Sequence, residues 1–294
     1  MTPSLSPRHT AACALVALTL IWSFNWIVLK TVLQYSGPFD FSALRYIVGT
    51  LVLVLVMLIR RESFKPPPIL MTAIIGFAQT AGFQALVQWA LVTGGAGKTA
   101  LLAFTMPFWV VLFSWLILSD RPGARQLWSL AIAALGLVFI IEPWHGFGGA
   151  QSSLLALGGG VLWGLGVVLS RRLFQRCHSS ALSLTTWQMF FGALLLCAIA
   201  LAVDERPVDW APTMIAALAY NGVLSSGIAW LLWSYVVEKL PANIAGLSSL
   251  IIPIAGIGFA WLLLGEVPSA SETAGIVAIC VALAIVNFRR TERA

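Results

Sequence analysis

Of the 294 residues, 60% are hydrophobic and only 10% are charged, a balance that soluble globular domains do not carry. The formal net charge of +6, in so apolar a chain, reads as contact with anionic membrane lipid and not with nucleic acid. A soluble enzyme is excluded, and no length is left for a separate soluble domain, so residues 1–294 read as a single membrane domain.

Ten apolar stretches follow one another, over residues 11–33, 41–59, 69–91, 97–118, 125–141, 153–171, 181–203, 214–237, 241–264 and 270–288. A helix rises about 1.5 Å per residue, so about 20 apolar residues cross the roughly 30 Å hydrocarbon layer, where an unpaired backbone amide costs several kcal/mol. Each stretch is therefore expected to be a helix, and the fold class all-α with ten transmembrane helices. The first follows Arg8 and is expected to be retained, because its apolar run exceeds that of a signal peptide and no small-x-small cleavage site follows it.

The polar residues inside these spans are few. Trp22, Asn25 and Trp26 lie in the first span and Lys30 near its end; Arg45 lies early in the second; Gln79, Gln84 and Gln88 lie in the third. Thr105 and Pro107 mark the fourth, Trp163 the sixth, Tyr220, Asn221, Ser225, Ser226 and Trp230 the eighth, and Ser248, Ser249 and Pro253 the ninth. Cys13, Cys177, Cys197 and Cys280 form no CxxC pair and suggest neither a metal site nor a disulfide framework. GGAGKT (94–99) is no phosphate loop, since Val92 stands where its first glycine belongs.

Thirteen of the 17 Lys and Arg fall in the segments that share a side with the N-terminus, against Lys98 and Arg206 on the other side. This bias predicts that both termini are cytoplasmic.

The chain also repeats. TALLAFTMPFWVVLFSWLILSDRP (99–122) lies over AGLSSLIIPIAGIGFAWLLLGEVP (245–268) at an offset of 146, superposing Pro107 on Pro253, Trp115 on Trp261, Asp120 on Glu266 and Pro122 on Pro268. The same offset matches Gly76 to Gly222, and slightly smaller ones match Trp22 to Trp163, Lys30 to Arg171 and Gly49 to Gly192. Residues 11–141 and 153–288 thus read as two copies of one unit. Five spans is an odd number, so the second copy enters from the opposite side, giving inverted five-helix repeats of the kind transporters use.

WSFNWIVLK (22–30), FSALRY (41–46), the Pro107 helix ending at Asp120 and the Pro253 helix ending in LGE (264–266) resemble the signature of the drug/metabolite transporter superfamily, and within it the EamA-type ten-helix permeases. That family includes bacterial exporters of aromatic and other amino acids. The resemblance covers nearly the whole chain and implies a multi-pass inner-membrane exporter with amino acids as small-molecule substrates. Asp120 departs from the family's usual Glu but keeps its charge.

All eleven acidic residues fall in loops or at span ends, and His9, His145 and His178 lie outside the spans. A proton-coupled exporter of organic cations needs a carboxylate inside the bilayer, so this chain is not expected to be one, and transport is expected to run without a titrating group at mid-membrane. A chamber without acids must be lined by aromatic, amide and hydroxyl groups. Trp22 with Trp26, and Gln84 with Gln88, share helical faces and are candidates, with Asn25, Gln79, Trp163, Tyr220, Asn221, Ser225 and Trp230. Trp144 and Trp210, in the outer loops, read as interfacial anchors.

Pro107 and Pro253 deprive the carbonyls of Ala103 and Ser249 of their helical donors, so both helices are expected to kink and to act as gating or cavity-lining elements, the alternative being static kinks fixed by packing. Thr105, Ser248 and Ser249 offer hydroxyls either to substrate or to their own helix. Gly160 with Gly164, and Gly256 with Ala260, are expected at close helix contacts. Lys30 and Arg45 are expected to snorkel to the outer surface, or else to meet a gate carbonyl or the carboxylate of a departing amino acid. Asp120 and Glu266 are expected to cap helix ends.

No nucleophile with a base, aspartate pair or HExxH motif points to an intramembrane enzyme, and no cofactor is implied. Export of other neutral metabolites or drugs, and a receptor or scaffold that binds without flux, are the competing readings.

Overall fold

Among the described residues the apolar stretches fold as helix, the fourth interrupted by a turn at Phe104 and Thr105. The computed structural model describes residues 7–94, 96–141, 150–242, 245, 248, 249, 251–264 and 269–287, and among them no strand occurs. Numbered by crossing, the helices are α1 (Pro7–Val32), α2 (Pro38–Arg60), α3 (Ile69–Thr93), α4 in two parts, α4a (Ala96–Ala103) and α4b (Met106–Leu118), and α5 (Ala124–Ile141). The second half comprises α6 (Ala150–Arg176), α7 (Ala181–Ala202), α8 (Pro212–Lys239), α9 (Ile251–Leu264) and α10 (Ala270–Asn287). Six of them, α1, α2, α3, α6, α7 and α8, are long and apolar enough to cross a membrane as single helices, and α4b, α5 and α10 are shorter apolar helices. The protein is a multi-pass membrane protein with the ten-helix, two-repeat architecture.

Helix α6 runs five residues past its apolar stretch, to Arg176, because Arg171, Arg172 and Arg176 continue good helix-forming sequence into the aqueous side. At the other end of the next turn, the Ser180 hydroxyl caps α7 by accepting from the Ser183 amide at 3.0 Å.

The centres of α3 and α8 are wound more widely than an α-helix. Residues Gly76–Gly82 and Tyr220–Ile228 form π segments with bonds to the fifth residue back. The Phe83 amide donates to the Ala78 carbonyl, and the Ala229 amide donates to the Leu224 carbonyl, the same bond moved by the offset that carries Pro107 onto Pro253. The wide turn shifts the register by one, so the carbonyls of Gln79 and Ser225 lose these amides.

Four glycines seat the two wide helices. A methyl on Gly49 of α2 would stand 2.8 Å from the Ser226 Cβ and 3.2 Å from the Gly222 carbonyl oxygen of α8. One on Gly192 of α7 would stand 3.0 Å from the Gly76 carbonyl oxygen of α3. Thus the second helix of each repeat crosses the third helix of the other at a glycine pair. Helices α5 and α10 pair with one another, the Ser129 hydroxyl donating to the Ala282 carbonyl at 2.7 Å and the Ser271 hydroxyl to the Phe139 carbonyl at 2.9 Å.

Pro107 does more than kink its helix. Phe104 and Thr105 form a turn that interrupts the helix, the Thr105 amide donating to the Leu102 carbonyl at 3.1 Å, and Pro107 sits in the first turn of α4b, where its missing amide costs nothing. Gly160 and Gly164 of α6 pack on this break: a methyl on Gly160 would stand 3.0 Å from the Ala103 carbonyl oxygen, and one on Gly164 3.1 Å from that of Met106. Just before α9 the Ser249 carbonyl, which Pro253 has no amide to serve, takes the Ile252 amide at 3.0 Å. A methyl on Gly256 would stand 3.7 Å from the Ser23 carbonyl oxygen of α1, an ordinary van der Waals contact.

Candidate functional site

Where α1, α2, α3, α4, α6 and α8 converge, a chamber is walled by Trp22, Asn25, Trp26, Leu29, Arg45, Phe83, Gln84, Val87, Phe104, Trp163 and Trp230. Both halves of the chain contribute. The free space inside is about 30 Å³, room for about two water molecules, so the side chains nearly fill the chamber.

Its centre is a knot of indoles. Trp22 and Trp163, the tryptophans matched by the repeat, meet edge to face with ring centres 5.7 Å apart. Trp230 lies 5.2 Å from Trp22, Phe83 4.9 Å and Phe104 5.4 Å from Trp163, and Trp233 backs the group at 5.9 Å from both indoles. Such geometry sets positive ring edges against negative faces and adds specific attraction to burial. The π segment of α8 fixes the arrangement: the Ser225 carbonyl, released by the wide turn, accepts from Trp22 Nε1 at 3.1 Å.

The polar wall is less complete. The Tyr46 hydroxyl donates to Gln84 Oε1 at 3.4 Å, while Gln84 Nε2, Asn25 Oδ1 and Trp163 Nε1 are buried without a partner. Arg45 is 2% exposed, so the expectation that it snorkels outward is corrected. Its side chain is held inside the protein, Nε donating to Ser226 Oγ at 2.9 Å and its guanidinium carbon 4.9 Å from the Tyr46 ring centre.

Seven sequence candidates thus meet in one wall: Trp22, Asn25, Trp26, Arg45, Gln84, Trp163 and Trp230. The others lie elsewhere. Gln79 Oε1 accepts from the Ser170 hydroxyl at 3.1 Å, joining α3 to α6. The Tyr220 hydroxyl donates to the Ile21 carbonyl at 2.6 Å. Gln88, one turn beyond Gln84, is fully buried, and its two amide atoms have no partner. Asn221 and Ser225 are buried in the π segment, with the Asn221 amide and the Ser225 hydroxyl unpartnered. Thr105 bonds back to its own helix, donating to the Leu102 carbonyl at 2.7 Å. Ser248, Ser249 and Pro253 are buried before and at the start of α9, outside the wall, as is Pro107 in α4b. Ser119, left-handed at φ 58°, ends α4, and the Asp120 amide closes the turn on the Ser114 carbonyl at 3.2 Å. Trp144 and Glu266 lie outside the described residues.

Sequence reading missed Phe83, Phe104 and Trp233, whose rings carry no mark that separates a chamber wall from helix packing. It also missed paired fastenings at the two ends of the bundle. At one end the Glu205 carboxylate accepts from the amides of Phe39 and Asp40, at 3.1 Å and 2.9 Å, capping α2 from the α7–α8 loop. At the other end Glu62, in the α2–α3 loop, accepts from the Ser180 hydroxyl at 2.6 Å, at the start of α7. Each repeat grips the second helix of the other. A recess of about 550 Å³ beside Lys30 and Glu205, and one of about 460 Å³ beside Glu62 and Ser180, open at these two ends.

A chamber between two interlocked repeats, with an open recess at each end of the bundle, is the arrangement of a carrier. The profile of the EamA-like transporter family matches residues 9–142 and again residues 151–288. The chain is 25% identical over 289 residues to the uncharacterized transporter YoaV of Bacillus subtilis (strain 168), covering 95% of this chain and 97% of that one. It is 24% identical over 292 residues, 94% of this chain and 95% of the relative, to a probable amino-acid metabolite efflux pump of Salmonella typhimurium. A solved crystal structure with 20% sequence identity has the same fold, at a TM-score of 0.76 over 95% of this chain and 97% of that one. The protein is a membrane transporter of small molecules, no enzyme, and it belongs to the EamA-like transporter family.

Proposed function

We propose that the protein exports amino acids, aromatic and other apolar ones included, across the bacterial inner membrane, with both termini in the cytoplasm. The two repeats enter from opposite sides and exchange conformations, exposing the chamber between Trp22 and Trp163 first to one face and then to the other. The observation that carries this reading is the chamber itself: aromatic walls accept varied apolar side chains, and a few unpartnered amide and indole groups address a small polar head. The resemblance to an amino-acid metabolite efflux pump supports the same cargo.

Among the described residues no Asp, Glu or His lines the chamber, which favours transport down the substrate gradient over exchange with protons through a titrating side chain. Flux of a panel of labelled amino acids through purified protein in liposomes tests the proposal. Movement of apolar amino acids, lost in Trp163→Ala, is expected; movement of organic cations or uncharged drugs in their place refutes the cargo, and binding without flux refutes the carrier.

A further inference from the structure

Among the described residues, the wall of the chamber holds one cation, Arg45, and no anion. Arg45 is nine-tenths and more buried, its Nε is engaged by Ser226, and its Nη1 has no partner. A guanidinium carries five N–H donors, and a buried charge left without a counter-ion is costly, so a purely structural arginine at this depth is normally found against a carboxylate or a fan of carbonyls. Here the charge rests against a hydroxyl and a tyrosine face, while none of the residues that share the wall is acidic.

The unpartnered atoms of the same wall have one bias. Arg45 Nη1, Gln84 Nε2 and Trp163 Nε1 are donors, and Asn25 Oδ1 is the single acceptor among the unpartnered atoms of the wall. A ligand that satisfies them brings several acceptor lone pairs, a negative charge and at most a modest donor. A carboxylate does this, and its planar pair of oxygens matches a guanidinium edge.

We propose that Arg45 is the anchor for the substrate carboxylate, so that the transported molecules are those with a carboxylate beside an apolar body, the ammonium group being secondary. This rests on the carrier reading above and narrows its substrate class. Arriving carboxylate supplies the counter-charge that the chamber lacks, whereas an organic cation meets a like charge with no acid to offset it. The Trp22, Trp163 and Trp230 rings then cover the apolar body, and Asn25 Oδ1 is left for an ammonium where one is present.

Three probes separate the parts: L-phenylalanine, N-acetyl-L-phenylalanine, which keeps only the carboxylate, and L-phenylalanine amide, which keeps only the ammonium. Binding is read from the fluorescence of the chamber tryptophans in purified protein, and flux from liposomes. N-acetyl-phenylalanine is expected to bind within about tenfold of phenylalanine, and the amide at least about tenfold more weakly. Arg45→Gln is expected to erase that preference and Arg45→Lys to keep part of it. Amide binding equal to that of the N-acetyl compound overturns the anchor, as does an unchanged preference in Arg45→Gln; if phenylalanine still moves, the carrier reading survives. Selective binding without flux leaves the anchor and removes the carrier, and no binding of any probe overturns both. Should Arg45→Gln fail to fold, the three-probe comparison in the unaltered protein decides alone.

Discussion

Lys30 and Arg171 make the same contact at opposite ends of the bundle. Lys30, late in α1, donates to the Leu91 carbonyl at 2.9 Å and the Gly94 carbonyl at 3.1 Å, at the end of α3. Arg171, late in α6, donates to the Val237 carbonyl at 3.1 Å and to that of Glu238, at the end of α8. Leu91 and Val237 are themselves related by the 146-residue offset. Each cation stabilises the negative end of its repeat's third helix and satisfies carbonyls that the helix leaves open. It thereby ties the repeat's first helix, which carries a chamber tryptophan, to its third.

Removing one tie is expected to disturb the balance between conformations more than the fold. Such a contact is worth about 1 kcal/mol where partly exposed, which shifts a two-state equilibrium about fivefold. Lys30→Ala should therefore reduce transport per molecule several-fold while protein level falls little. Transport normalised to the amount of protein in the membrane checks this; a proportional loss of both means that Lys30 serves folding alone.

The grips by Glu205 and Glu62 are expected to act independently, since they lie at opposite ends. Glu205→Gln removes a charged cap from α2 and should lower stability by about 1 kcal/mol; Glu62→Gln should cost less, as it meets a hydroxyl that already caps α7. Thermal unfolding in detergent of the single variants and of the double variant should give additive shifts. A double variant much less stable than the sum contradicts independent fastenings.

The glycine crossings are expected to tolerate nothing larger. Gly49→Ala presses on Ser226 and on the Gly222 backbone, and overpacking of this kind costs about 1–3 kcal/mol. Gly192→Ala, against the Gly76 backbone, should behave alike. Gly123→Ala, whose added methyl would meet no atom within 4 Å, is the neutral control. Yield and melting temperature of the three variants check the order; equal behaviour contradicts the close crossings.

Proton dependence follows from what lines the chamber. With no Asp, Glu or His among the described residues of its walls, flux is expected to change less than about twofold when a proton gradient is imposed on liposomes at fixed substrate gradient. Strict dependence on that gradient removes the inference.

How far the sequence reaches is clear from particular residues. The helical crossings follow from apolar length, because lipid leaves a backbone no other choice. Trp22 and Trp163 stand out because the repeat pairs them, and the repeat itself is visible in Pro107 and Pro253. The π segments leave no such trace. A bond from Phe83 to Ala78 in place of Gln79 is a choice of backbone register, made by packing at Gly76 and Gly192, and side-chain periodicity does not encode it. Arg45 is misjudged for a related reason: depth along a helix predicts snorkelling, but the direction of the side chain depends on the Ser226 hydroxyl that the π segment presents. Phe83, Phe104 and Trp233 acquire their role only from where α3, α4 and α8 converge.

The central claim is that one chamber between the repeats serves both faces in turn. A single cysteine at Asn25, in a background without Cys13, Cys177, Cys197 and Cys280, and treated with a membrane-impermeant thiol reagent from each side separately, tests it most directly. The account predicts modification from either side, slowed from both when an apolar amino acid is added. Modification from one side alone, from neither, or at a rate indifferent to the amino acid contradicts it.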